Sequence, residues 1–180
     1  DEKYLSQHGE ALLKRLGLSL ESLNCYKTYE AFFYILYNNS VNLNGYNALI
    51  IENKDTFMSI MKLLNRNPEA MPGDKKVHLL IYGEGKKIIN SFKFMEEITR
   101  DRLINNIYYF GDIDYEGVGI FLNLKGTYPA YNIIPHVDFY KKLVDIADLP
   151  PKLKSSQDSL NIEGFLKYFD ECYRLRMTNI

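Results

Sequence analysis

The residues that decide the fold are Ala48-Leu49-Ile50-Ile51, a short and continuously apolar run that leads directly into Glu52. Such a run predicts a β-strand covered on both faces, as in a parallel sheet. Apolar residues then recur at helical spacing: Phe57, Ile60, Met61 and Leu64. The two patterns together predict one β-α unit of an α/β domain.

The same alternation continues along the chain. Further strands are predicted at residues 77–82, 106–110 and 131–134, and helices are predicted after each of them. Repeated β-α units of this length predict a parallel sheet of about four strands with helices on its faces, a Rossmann-like α/β architecture.

Outside this region the patterns differ. Residues 1–45 predict a short, mainly helical N-terminal arm, in which residues 29–37 favour a buried helix, with a strand as the alternative. The α/β domain is predicted over 46–148, and a polar linker with a C-terminal helix over 149–180. The first residue is Asp1, so we expect the arm to be the remnant of a longer protein.

Composition excludes several classes of protein. The formal net charge is -1, which argues against a basic coat for nucleic acid. Cys25 and Cys172 are far apart and lack metal-binding spacing, so we expect reduced, buried thiols. The first residues, Asp1-Glu2-Lys3-Tyr4, do not resemble a signal peptide, and no apolar run approaches the ~20 residues that a membrane helix needs. We therefore expect a cytoplasmic protein that does not enter a membrane.

Acidic residues follow the predicted strands. Glu52 ends the first strand, and Asp112 and Asp114 follow the third. Chemistry in parallel sheets gathers at the carboxyl ends of the strands, and residues i and i+2 of an extended segment face one side, about 7 Å apart. Three crowded carboxylates would raise one another's pKa unless a divalent cation joined them. Oxygen donors without His or Cys favour Mg²⁺ or Mn²⁺.

Other polar residues at this edge carry weaker signals. Gly83-Glu84-Gly85-Lys86-Lys87 predicts a tight turn, with a phosphate-binding loop as the alternative. Lys86 and Lys87 are candidate contacts to a DNA backbone. His136 follows the last strand. Helix capping or a solvent-facing position is favoured for it over DNA contact or proton delivery.

The motifs at the three strand ends, read in chain order, resemble a Toprim domain. They are Ala48–Lys54, Tyr82–Gly85 and Tyr109–Gly117. Toprim is the catalytic fold of topoisomerases, bacterial primases and several nucleases. Within it, the chain looks closest to the C-terminal domain of the nuclease subunit of Wadjet plasmid-defence systems, which is related to the topoisomerase VI A subunit. The resemblance covers about residues 46–148.

The resemblance implies a function and a site. Glu52, Asp112 and Asp114 match the metal-binding, catalytic carboxylates, and Glu116 extends the series as an outer-sphere ligand. It implies a Mg²⁺- or Mn²⁺-dependent endonuclease that hydrolyses double-stranded DNA beside a condensin-like ATPase complex, and it leaves a homodimer open. Topoisomerase VI-like enzymes attack with a tyrosine from a winged-helix domain. Residues 1–45 are too short for that domain, so metal-activated water is expected.

Two alternatives remain at this point. A haloacid-dehalogenase-like phosphotransferase also uses an Asp-x-Asp pair. That family places the pair after its first core strand, whereas here Asp112 and Asp114 follow the third and Glu52 follows the first. The second alternative is a catalytically silent Toprim that acts as a DNA-binding or dimerisation module. The three carboxylates argue against it.

Overall fold

The computed structural model describes residues 2–25, 28–37, 45–68, 70–71, 75–100, 103–146 and 161–178. The chain divides into two units, Asp1–Glu30 and Ala31–Ile180. The first unit contains helix α1 (Glu2–Arg15) and a short 3-10 turn, Glu21–Leu23. Gly17 follows α1 with a left-handed φ of 67°, a conformation that glycine adopts without strain where a helix ends.

The second unit is built on a five-stranded sheet. Its strands are β1 (Tyr34–Leu36), β2 (Tyr46–Ile51), β3 (Leu79–Tyr82), β4 (Ile104–Phe110) and β5 (Ile133–Pro135). Their order across the sheet is β1-β3-β2-β4-β5. Strand β1 pairs antiparallel with β3, and every other neighbouring pair is parallel. The predicted α/β class with a mainly parallel sheet is confirmed.

Helices connect and cover the strands. In chain order they are α2 (Lys54–Arg66), α3 (Lys87–Ser91), α4 (Met95–Thr99), α5 (Tyr115–Thr127), α6 (Val137–Ile146), α7 (Glu163–Leu166) and α8 (Glu171–Thr178). Asn53 begins α2 as its N-cap, because its side-chain oxygen accepts from the backbone N–H groups of Asp55 and Thr56 at 3.0 and 3.2 Å. Within the described ranges, no helix combines the length and apolar character that a membrane span needs.

The core lies on both faces of the sheet. Ala48 and Ile50 belong to the cluster that packs under α3, α5 and α6, which we call the α5 face. Leu49 and Ile51 belong to the cluster that packs under α2, which we call the α2 face. All four side chains are fully buried. Because successive side chains of a strand point to opposite faces, burial on both sides explains why this run is continuously apolar.

The N-terminal part of the sheet differs from the expectation. Residues 29–37 favoured a helix, but Tyr34–Leu36 form the edge strand β1, the alternative that the sequence left open. The predicted boundary at residue 45 placed this segment in the N-terminal arm. In the structure, pairing of Ile35 with Leu80 makes it part of the sheet. Long-range pairing with β3 decides the matter, and local periodicity could not reveal it.

The C-terminal region also differs in detail. The single C-terminal helix predicted within 149–180 is two helices, α7 and α8. The buried thiols were a wrong prediction, because Cys25 and Cys172 are both free and exposed. On α8, the half-buried Tyr173 and the buried Met177 lie four residues apart and form its inner side, which leaves Cys172 outside. The predicted linker at 149–160 lies outside the described residues.

Candidate active site

The acidic strand ends meet at one edge of the sheet. Strand β2 lies between β3 and β4, with Ile51 level with Tyr82 on one side and with Phe110 on the other. The Gly83 N–H donates to the carbonyl of Ile51 at 2.8 Å. The pairing places Glu52 between the loops that follow its two neighbours, as the strand-end argument predicted.

Glu52 is held by two donors. The Tyr109 hydroxyl donates to its Oε2 at 2.9 Å, and the backbone N–H of Asp112 donates to the same carboxylate. Burial raises the pKa of Glu52, these hydrogen bonds lower it, and the charges of Asp112 and Asp114 raise it, with a net upward shift. The carboxylate is therefore oriented, and its charge is only partly compensated.

Gly111 makes this approach between β4 and Glu52 possible. A Cβ at this position would overlap Oε2 of Glu52 and would lie 3.0 Å from the Tyr109 hydroxyl. The Gly111 N–H donates to the hydroxyl of Tyr140, at 3.0 Å. Both tyrosine side chains are fully buried. Two buried tyrosines from β4 and α6 thus fix the position of Glu52 and of the loop beside it.

The Asp-x-Asp pair lies in the loop between β4 and α5. Ile113 packs against the core of the α5 face. Asp114 is the N-cap of α5, and its Oδ1 accepts from the Gly117 N–H at 2.7 Å. Asp112 is exposed, but neighbouring atoms partly desolvate its carboxylate and raise its pKa, and the charge of Asp114 raises it further. The loop therefore carries two interacting carboxylates.

A second glycine lets α5 approach this loop closely. A Cβ on Gly117 would lie 2.5 Å from the carbonyl oxygen of Asp112, much closer than atoms can approach without displacement. Glycine at this position allows the first turn of α5 to lie against the Asp112 backbone.

Glu116 has a different partner from the one expected. Its Oε1 lies 2.9 Å from Nζ of Lys86, and both side chains are more than half exposed. The hydrogen bond with Glu116 raises the pKa of Lys86. The carboxylate that the resemblance assigned to the outer sphere of a metal therefore forms an ion pair with the loop after β3.

The loop after β3 is the predicted tight turn. Glu84 and Gly85 both adopt left-handed φ angles, 52° and 62°, a region that residues other than glycine rarely occupy. The Lys87 ammonium contacts Oε1 of Glu84 at 2.6 Å within the same turn. Lys86 thus pairs across to another element, whereas Lys87 pairs locally.

The donor set suits a hard divalent cation. Glu52, Asp112 and Asp114 supply carboxylate oxygens, and their charges interact. However, no three His, Cys, Asp or Glu side chains converge into an arrangement that encloses a metal ion in the described parts of the chain. The residues therefore fit the chemistry of such a cation, and binding one would require their side chains to reorient.

Comparison with known proteins identifies a family. The family model for Wadjet protein JetD, C-terminal, matches residues 33–136, which is more than half of the 180 residues. The chain belongs to this family. No curated protein matches it, and no solved structure matches it. The predicted kinship with a Wadjet protein is thus confirmed, and the Toprim assignment stays a prediction.

The matched segment fits the geometry of the sheet. The JetD C-terminal model starts at residue 33, one residue before β1, so it includes the antiparallel edge strand that the predicted domain left out. It also contains Glu52, Lys86, Asp112, Asp114 and Glu116. The whole candidate site therefore lies inside the part of the chain that matches the family.

His136, the last residue that the JetD C-terminal model matches, is not solvent-facing. Its side chain is fully buried and stacks on Phe139, with ring centroids 4.2 Å apart. Its Nδ1 accepts from the Phe139 N–H at 3.4 Å, a long capping contact with α6. Its Nε2 has no hydrogen-bond partner among the described residues. Full burial leaves no surface for the DNA contact weighed from the sequence.

Sequence reasoning missed Tyr109 and Tyr140. The chain contains 15 tyrosines, and packing is the ordinary role of a half-apolar side chain of this kind. Both hydroxyls act at the site only because the register of β2 with β4, and the docking of α6, bring them there. No local pattern distinguishes them from their neighbours.

Proposed function

We propose that this chain is a metal-dependent DNA endonuclease with a Toprim-type centre, acting in the cytoplasm within a Wadjet anti-plasmid complex. The observation that carries the proposal is the position of the Glu52 carboxylate, which is held by two hydrogen bonds close to two other carboxylates. Tyr109 and the Asp112 backbone orient its carboxylate beside Asp112 and Asp114, and the mutual repulsion of these groups favours a cation between them.

The proposed ligands are Glu52, Asp112 and Asp114. Bound Mg²⁺ or Mn²⁺ would activate water and stabilise the charge that develops on the phosphodiester oxygens. The protein's own contribution is to hold Glu52 at a fixed position through Tyr109 and to hold the Asp112 loop through Tyr140 and Gly111. No tyrosine serves as nucleophile in this proposal, so the reaction is hydrolysis.

The partners follow from the family. A Wadjet protein acts in plasmid defence, so we propose double-stranded DNA as substrate and a condensin-like ATPase complex as partner. A homodimer is compatible with this assignment.

A second candidate function rests on one observation. The carboxylates do not converge as a ready metal site within the described residues, which favours a catalytically silent Toprim that binds DNA or another protein. The strand-end position of Glu52 and its two donors favour the enzyme.

Cleavage of supercoiled plasmid tests the proposal. The wild-type chain, alone and with its complex, is incubated with Mg²⁺, Mn²⁺ or a chelator, beside the variants Glu52→Gln, Asp112→Asn and Glu97→Gln. Glu97 pairs with Arg100 and is the matched control for loss of a carboxylate. We expect metal-dependent nicking or linearisation that is lost in the first two variants and retained in the third. Cleavage that survives in both site variants excludes this centre, and no cleavage in the complete complex supports the silent module.

A further inference from the structure

The Lys86–Glu116 ion pair lies across the end of the strand that precedes Glu52. Lys86 follows β3, and Glu116 is in the first turn of α5, after β4. Strands β3 and β4 flank β2, so their ends lie about 10 Å apart at ordinary strand spacing. The contact of 2.9 Å between Lys86 Nζ and Glu116 Oε1 therefore brings a cation from the loop after β3 to the acidic residues that follow β4.

This pair contributes little to the fold. The Lys86 side chain is 71% exposed and that of Glu116 is 54% exposed, and ion pairs between exposed side chains contribute little to stability because water and salt screen them. Water reaches both groups, so another anion can displace or share the ammonium. An ammonium has three donors, which allows it to contact a phosphate while it stays near Glu116.

The negative charge at this edge opposes the approach of DNA, and Lys86 offsets part of it. Glu52, Asp112, Asp114 and Glu116 place carboxylates at one end of the sheet, whereas duplex DNA carries about one negative charge per 1.7 Å of its axis. Three other cations of this unit pair with carboxylates outside this edge: Lys75 with Asp138, Lys141 with Asp170 and Arg176 with Asp145. Lys86 is paired with a residue only two positions after Asp114.

We propose that Lys86 is the phosphate-binding residue of the acidic site and that Glu116 is its counter-ion in the DNA-free chain, not a metal ligand. The ligand is the phosphodiester backbone of DNA, contacted next to the bond to be cleaved. This inference rests on the proposed function, since it identifies how the same site receives its substrate.

DNA binding measured without metal tests the first half. Fluorescence anisotropy of a short labelled duplex is followed in chelator with wild type, Lys86→Met and Arg100→Met. Arg100 is the matched control, because it is 70% exposed, pairs with Glu97 and lies before β4, at the opposite edge of the sheet.

We expect Lys86→Met to weaken binding about tenfold, as for one lost charge-assisted hydrogen bond. The slope of log affinity against log salt should fall by about one unit. Arg100→Met should bind as wild type. The assignment is overturned if Lys86→Met binds DNA as tightly as wild type, or if Lys86→Met and Arg100→Met lose the same affinity. It is also overturned if the wild-type chain does not bind DNA.

Glu116→Gln tests the second half. If Glu116 is a counter-ion, the variant binds DNA as tightly as wild type or more tightly, and Mn²⁺ raises its melting temperature as it does for wild type. Loss of the Mn²⁺ effect shows that Glu116 is a ligand and overturns this part. DNA binding is measured without metal, whereas plasmid cleavage is measured with metal. A protein that binds DNA through Lys86 but does not cleave it would refute the proposed nuclease activity and keep the assignment of Lys86.

Discussion

The buried hydroxyl of Tyr109 donates a 2.9 Å hydrogen bond to Oε2 of Glu52. Tyr109 lies in β4 and Glu52 follows β2, so the bond joins the ends of two neighbouring parallel strands. A hydrogen bond to a charged acceptor in a partly buried setting is stronger than one between neutral groups. This contact orients a carboxylate that would otherwise be a flexible side chain at the edge of the sheet.

Replacing Tyr109 by Phe removes this donor and keeps the ring. We expect the pKa of Glu52 to rise further, because the lost hydrogen bond lowers it, and the free energy of unfolding to fall by about 1–2 kcal/mol at neutral pH. Carboxyl-carbon NMR titration and urea unfolding measure the two quantities. Tyr108→Phe, on the opposite face, is the control. An unchanged Glu52 titration would contradict the assigned role of the hydroxyl.

Gly111→Ala tests the close approach at the end of β4. The added Cβ would overlap the Glu52 carboxylate, so we expect a loss of about 1–3 kcal/mol in unfolding free energy together with loss of cleavage. Gly126→Ala is the matched change, since nothing lies within 4 Å of its Cβ position in α5. That variant should gain about 0.5–1 kcal/mol from helix propensity. Urea unfolding compares the two, and similar effects in both would exclude the steric explanation.

Glu52→Gln separates charge repulsion from metal binding. Burial raises the pKa of Glu52, which means that the fold disfavours its charge, and the amide oxygen can still accept from Tyr109. We expect the variant to melt higher than wild type in chelator and to lose the stabilisation by Mn²⁺.

For wild type, Mn²⁺ at a hundredfold excess over its dissociation constant should add about 2.7 kcal/mol, or about 5–10 °C in melting temperature. Differential scanning fluorimetry measures both proteins, and Glu97→Gln should keep the full Mn²⁺ effect. If Mn²⁺ raises the melting temperature of Glu52→Gln as much as that of wild type, Glu52 is not a ligand of the metal ion.

His136 makes stability depend on pH. Burial lowers its pKa to about 4, the charge of Lys75 also lowers it and that of Asp138 raises it. An unfolded histidine titrates near 6.5. Between pH 6.5 and 4, His136 is protonated in the unfolded chain and neutral in the folded chain. The free energy of unfolding therefore falls as pH drops through this range, by up to about 3 kcal/mol.

His136→Gln should flatten this part of the profile, measured by urea unfolding from neutral to acidic pH. Glu52 and Asp112 have raised pKa values and therefore stabilise the fold as pH falls. Because they are common to both proteins, the difference between the two profiles isolates His136. Parallel profiles would contradict the assignment.

Much of the fold could be predicted from the sequence because each element carries its own burial pattern. The run Ala48–Ile51 is buried on both faces, and the helical spacing from Phe57 to Leu64 matches α2. The acidic strand ends followed from the same patterns, since a parallel sheet places its carboxyl ends at one edge. Strand β1 was assigned less well, because three residues at an edge carry too short a pattern.

The sequence by itself determined the α/β class, the four parallel strands and the identity of the carboxylates that follow them. Only the tertiary structure decided that β2 lies between β3 and β4, and the contacts of Tyr109 with Glu52 and of Lys86 with Glu116 depend on that order. The physical reason is that periodicity records how each residue is buried, whereas a hydrogen bond or an ion pair depends on which distant strand becomes its neighbour.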